Sequence, residues 1–65
     1  MFTLRDFEEI ARGYVLLTLE WRDEECNIKT KSCFIHELIF LENRFLDAKI
    51  LRIDLENKRV FLQLD

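Results

Sequence analysis

Three side chains in this sequence, Cys26, Cys33 and His36, are the types that hold soft metals or act as nucleophiles. A structural zinc site needs four ligands, usually as two close pairs. Here one Cys-x-x-His spacing is joined by a distant cysteine, so a closed site would need a carboxylate or a second subunit. On a strand, Cys33 and His36 would also face opposite sides. A Cys-His nucleophilic pair would need a stabilised thiolate, an oxyanion hole and a pocket. A chain of 65 residues with one glycine has little room for them. The acids Glu20, Asp23, Glu24 and Glu25 could attract a hard cation, but they lack calcium-loop spacing and a glycine at the bend. Gly13 is the only glycine, so no phosphate-cradling loop is present. No catalytic, cofactor-binding or metal-binding residue is therefore assigned, no small-molecule substrate is evident, and the expected protein is not an enzyme.

Two sets of side chains suit binding. Lys29, Lys31, Lys49, Arg52 and Arg59 could contact phosphates. The aromatic residues Tyr14, Trp21, Phe34, Phe40, Phe45 and Phe61 would stack on bases only if exposed beside a cationic groove. Ten Lys/Arg against thirteen Asp/Glu give a net charge of -3, which disfavours nucleic acid as the partner. Apolar excess is the stronger signal. Hydrophobic residues make up 49% of a chain that can form one small core. Leu16, Phe40 and Phe61 fall away from the inward-facing sets, which points to a second covered face.

The elements that must position these groups follow from periodicity. Thr3 can cap a helix and Asp6 places negative charge in its first turn. Leu4, Phe7, Ile10 and Ala11 then recur at helical spacing, and Gly13 suits a left-handed terminator. The spacing predicts a helix over about residues 4–12. From Tyr14 to Arg22, Val15, Leu17, Leu19 and Trp21 alternate with the remaining residues as a strand does. Asp23-Glu24-Glu25 turns the chain. Residues 27–32 resume a strand whose Lys29 and Lys31 share one face and would guard an edge.

A C-terminal hairpin is expected at about 50–64. A two-residue turn at Asn57-Lys58 would pair Leu55 with Val60, Ile53 with Leu62 and Leu51 with Leu64. Segment 33–47 reads two ways. As a second helix it stripes Phe34, Leu38, Leu41 and Phe45 together, with Ile35, Ile39 and Leu46 beside them. As a hairpin it turns at Leu41-Glu42-Asn43-Arg44. The expected fold is α+β in a single domain, 1–65: an N-terminal helix on a mostly antiparallel sheet of four to five strands.

No apolar run exceeds four residues, far short of a membrane span, and Asp6, Glu8 and Glu9 are unlike a signal peptide. If Cys26 and Cys33 share a strand they lie about 23 Å apart, beyond disulfide reach. A cytoplasmic protein without membrane contact is expected. Its expected role is that of a non-enzymatic protein-binding module, a regulator or inhibitor acting by contact and homodimeric. Leu16, Lys29, Lys31, Phe40 and Phe61 are its expected interface.

The order helix, then short antiparallel strands is similar to the outline of Sm-like RNA-binding rings. The matching segments are the helix at 4–12, Val15-Leu16-Leu17-Thr18-Leu19, residues 38–43 and a closing strand at Val60-Phe61-Leu62. The resemblance is one of fold, which carries no function by itself; the alternative role it accompanies is a small nucleic-acid-binding barrel, for which the basic residues Lys29, Lys31, Lys49, Arg52 and Arg59 are the expected contacts. The chain departs from the pattern before the third strand. Phe34-Ile35-His36-Glu37-Leu38 stands where an Asp followed by Met-Asn belongs. Arg52 is also followed by Ile53 where the family has glycine.

Overall fold

The computed structural model describes residues 1–11 and 15–64. The element order is α1 (Leu4–Ile10), β1 (Leu16–Arg22), β2 (Ile28–Phe34), a 3-10 helix η1 (Ile35–Phe40), α2 (Asn43–Leu46), β3 (Lys49–Asp54) and β4 (Arg59–Gln63). This is the expected α+β fold, with four strands in the order β2-β1-β4-β3. The central pair β1–β4 is parallel; β1–β2 and β3–β4 are antiparallel.

Helix α1 starts where its sequence says it should. The Thr3 hydroxyl accepts from the Asp6 amide at 3.3 Å, and the Asp6 carboxylate accepts from the Thr3 amide at 3.0 Å. The two residues thus satisfy each other's exposed backbone donors. The helix ends earlier than the periodicity suggests, at Ile10, with Ala11 extended as its C-cap. The expected terminator Gly13, together with Arg12 and Tyr14, lies outside the described residues. Arg5 reaches across to α2, donating to Asp47 at 3.0 and 3.1 Å and to Asn43 at 3.3 Å.

One face of the sheet carries the core. Leu4, Leu17, Leu19, Cys33, Ile35, Leu38, Phe45, Ala48, Val60 and Leu62 are buried together. Strand alternation turns Leu17, Leu19 and Val60 toward the helices and leaves Thr18, Glu20, Arg59 and Phe61 on the opposite, open face.

The middle segment is helical, not a hairpin. Leu41 and Glu42 link η1 to α2, whose first residues are Asn43 and Arg44. The helix is broken, however, and η1 winds at three residues per turn, so side chains at i and i+3 eclipse. Ile35 and Leu38 therefore point inward with half-buried Leu41 behind them, while Ile39 and Phe40 fall on the other two faces. An α-helical stripe would have carried Ile39 inward beside Ile35. Residues 38–43, a strand in the Sm-like outline, are likewise 3-10 helix, bend and helix start. The four strands form an open sheet.

The C-terminal hairpin is present in a different register. Asp54 faces Arg59, Ile53 faces Val60, Arg52 faces Phe61 and Ile50 faces Leu62, with a bulge between Ile50 and Arg52. The predicted pairs of Leu55 with Val60, Ile53 with Leu62 and Leu51 with Leu64 do not form. Asp54 is the cause: its carboxylate accepts from the Asn57 amide at 3.2 Å and from the Asn57 side chain at 2.9 Å. That fixes a four-residue loop, Leu55 to Lys58, in which Lys58 rather than Asn57 takes positive φ, 55°. The bulge then restores inward alternation for Ile50.

Candidate functional site

The residues suited to chemistry do not converge. Cys33 is buried opposite Leu17 in the core, whereas Cys26 is exposed in the β1–β2 turn. Neither forms a disulfide. Burial pushes the Cys33 thiol above its ordinary pKa, and the Glu37 carboxylate adds to the effect. His36 stands exposed on η1, stacked on Phe34 at 5.7 Å between ring centroids. Among the described residues, no three His, Cys, Asp or Glu side chains group as metal ligands.

The four acids have separate structural positions. Asp23 accepts from the amides of Asn27 at 2.8 Å and Glu25 at 2.9 Å, closing the β1–β2 turn. The Asn27 backbone bond is the main reason that its carboxyl lies below the ordinary carboxylate range. Glu20 faces the other way, on the open face, paired with Arg59. Glu24 and Glu25 are exposed.

The five interface candidates fall on two surfaces. Leu16 and Phe61 lie on the open face of the sheet. Leu16 is a cross-strand partner of Phe34, and the two form an apolar pair at one end, 51% and 39% exposed. Phe61 is half-buried beneath the Arg52 guanidinium, 4.4 Å from its ring centre. The open face between them is a polar lattice, with Thr18 beside Ser32 and Glu20 beside Arg59.

Lys29, Lys31 and Phe40 gather on the helix-bearing side. Lys29 and Lys31 sit opposite Trp21 and Leu19, so their stems point to that face. Phe40 and Lys31 line one shallow groove with Trp21, Arg44 and Phe45. Its floor is aromatic: Trp21 meets Phe45 edge-on at 5.0 Å, and Arg44 covers the Phe45 ring at 4.6 Å. Phe40 is 84% exposed and its neighbour Ile39 58%. The two are adjacent in sequence but leave η1 on different faces, and only Phe40 lines the groove beside β2.

The cations proposed for nucleic acid are also divided. Lys49, Arg52 and Arg59 belong to the open face, and Lys29 and Lys31 to the other. Arg52 and Arg59 are engaged with Phe61 and Glu20. A second apolar cleft, lined by Phe7, Leu17, Ile35 and Ile53 at the end of α1, has only Asp54, Lys58 and Arg59 as charged neighbours among the described residues.

Sequence reasoning missed Phe34 as the exposed partner of Leu16, and missed that Ile39 is exposed. For Ile39 the missing signal was the 3-10 winding, which apolar spacing alone does not distinguish from α. No helix among the described residues is long and apolar enough to cross a membrane. Compared with protein-family models, curated proteins and solved structures, the chain matches none of them.

Proposed function

We propose that this chain is a non-enzymatic protein-binding module, a regulator or inhibitor that acts by contact, and that its docking surface is the corner between η1 and the edge of β2. The observation that carries this reading is Phe40. It is 84% exposed and borders a groove whose floor is the Trp21–Phe45 aromatic pair. Isolated exposed apolar residues are ordinary. An exposed aromatic side chain over an aromatic floor, with Arg44 beside it, has the aromatic and arginine content in which interface cores are enriched, while Lys31 and Glu42 supply a charged rim.

In a native extract, size-exclusion chromatography should find the chain in a complex larger than its 8.0 kDa. Phe40→Ser should return it toward the free mass, and nuclease treatment should not. Elution of the unaltered chain as free monomer contradicts the proposal, and release by nuclease favours the nucleic-acid reading.

Homodimerisation is a second reading, supported by the Leu16–Phe34 pair on the open face. A copy docked there would leave the Phe40 corner free. It predicts a purified protein of twice the chain mass that Leu16→Asp converts to monomer.

A further inference from the structure

The two edges of the sheet are finished differently. The β3 edge is bulged and covered: Ile50 donates to the Phe2 carbonyl at 2.9 Å, Leu4 donates to the Ala48 carbonyl at 3.1 Å, and Thr3 bridges to Lys49. The β2 edge has no such cover among the described residues. Its register with β1 runs unbroken through seven pairs, from Arg22–Ile28 to Leu16–Phe34. It has no proline and no bulge to interrupt pairing by a further strand.

The free backbone groups on that edge can be assigned. Ile35 donates to the Val15 carbonyl at 3.0 Å, and Asp23 donates to the Asn27 carbonyl at 3.0 Å, so odd-numbered residues of this ladder bond inward. Antiparallel alternation then turns the amides and carbonyls of Ile28, Thr30 and Ser32 outward. The amide of Phe34, next in the series, is taken by the Glu37 carboxylate at 3.1 Å, which closes one end. What remains is a docking length from Ile28 to Ser32.

Charge decides what can pair there. A second copy of β2 can satisfy all three free residues in one antiparallel register, with Thr30 opposite Thr30 of the other copy. That register sets Lys29 opposite Lys31 twice, in the non-hydrogen-bonded positions where side chains come closest. Like charges directly opposite are destabilising. An extended strand with carboxylates two residues apart reverses the sign of both contacts. Lys31 makes no ion pair with the described residues, and Lys29 is held only by a loose, exposed contact to Asp23 at 3.9 Å.

We infer that the β2 edge, Ile28 to Ser32, accepts an extended segment of a different protein as a fifth strand, with acidic residues at alternate positions facing Lys29 and Lys31. This rests on the protein-binding reading and names the partner's chemistry. The lysines that oppose self-pairing are the groups that select the partner. An apolar residue flanking the acidic pair reaches Phe40, which shares its groove with Lys31.

The test is a titration of the isotope-labelled chain, followed by amide chemical shifts, with a capped seven-residue peptide alternating Glu and Val and ending in Leu. A second peptide carries Lys for Glu. The expected result is shifts and slowed exchange at Ile28, Thr30 and Ser32 with the Glu peptide only, weakening as salt rises. The double variant Lys29→Glu with Lys31→Glu should exchange the preference, binding the Lys peptide about tenfold more tightly than the Glu peptide. Equal response to both peptides, no response at β2, or β2 shifts that grow with protein concentration without peptide would each overturn the inference. If the peptides fail while the Phe40-dependent complex in extract persists, the protein-binding reading stands and strand addition falls. If both fail, both fall.

Discussion

At the residue scale, side-chain type was a good guide to what each group does locally. Thr3 and Asp6 cap the first helix because a hydroxyl and a carboxylate three residues apart can satisfy each other's amides. The Thr3 bonds, the backbone one foremost, hold the Asp6 carboxyl below its ordinary range. The Asn57 bonds, the side-chain one foremost, do the same for Asp54. These acids serve as cap and turn locks, Asp6 for α1 and Asp54 for the β3–β4 loop. Neither cysteine looks different from the other in sequence; burial separates them. Cys26 should react with an aromatic disulfide reagent within seconds to minutes at neutral pH. Cys33, enclosed in the core with its thiol pushed up, should react only as the chain unfolds. Stoichiometry of one thiol in buffer and two in denaturant checks this. Two fast thiols would contradict the placement of β2.

Elements were legible where one period ruled them. The first helix and the β1 alternation follow from apolar spacing and capping, and so does the existence of the last hairpin. Two features depended on competition that spacing does not reveal. In the hairpin, maximal apolar pairing across a two-residue turn lost to the Asp54–Asn57 bonds, which lengthen the loop and leave Leu55 exposed. In the middle segment, helix and hairpin both placed apolar residues acceptably. The segment winds as a 3-10 helix that turns Ile35, Leu38 and, just past its end, Leu41 inward, a spacing of three that an α-helix also tolerates. This makes a sharp prediction for neighbouring residues. Leu38 is fully buried, so Leu38→Ala should cost about 3 kcal/mol. Ile39→Ala should lie within about 0.5 kcal/mol of the parent. Chemical denaturation of the two variants tests it, and equal costs would mean that the segment is wound as an α-helix.

For the whole molecule, the apolar excess visible in composition is real, but it is not spread as expected. Leu16 and Phe61 do not share a surface with Phe40, and Phe61 is already partly covered by Arg52. The cations divide between two faces, so no continuous basic groove joins Lys29 and Lys31 to Arg52 and Arg59. Sequence could mark the individual groups but not sort them, because sorting required the parallel β1–β4 pairing that sets β2 at one edge and β3 at the other. What the fold brings together is one corner: an edge strand with two lysines, uncovered among the described residues, and the outward Phe40 at the end of η1. The most direct measurement places a photo-reactive benzoyl-phenylalanine at position 40 and irradiates the producing cells. Covalent capture of another polypeptide, lost when Lys29 and Lys31 are changed to Glu, is the predicted result. Irradiation that yields only the unattached chain, or an adduct to nucleic acid, would contradict it.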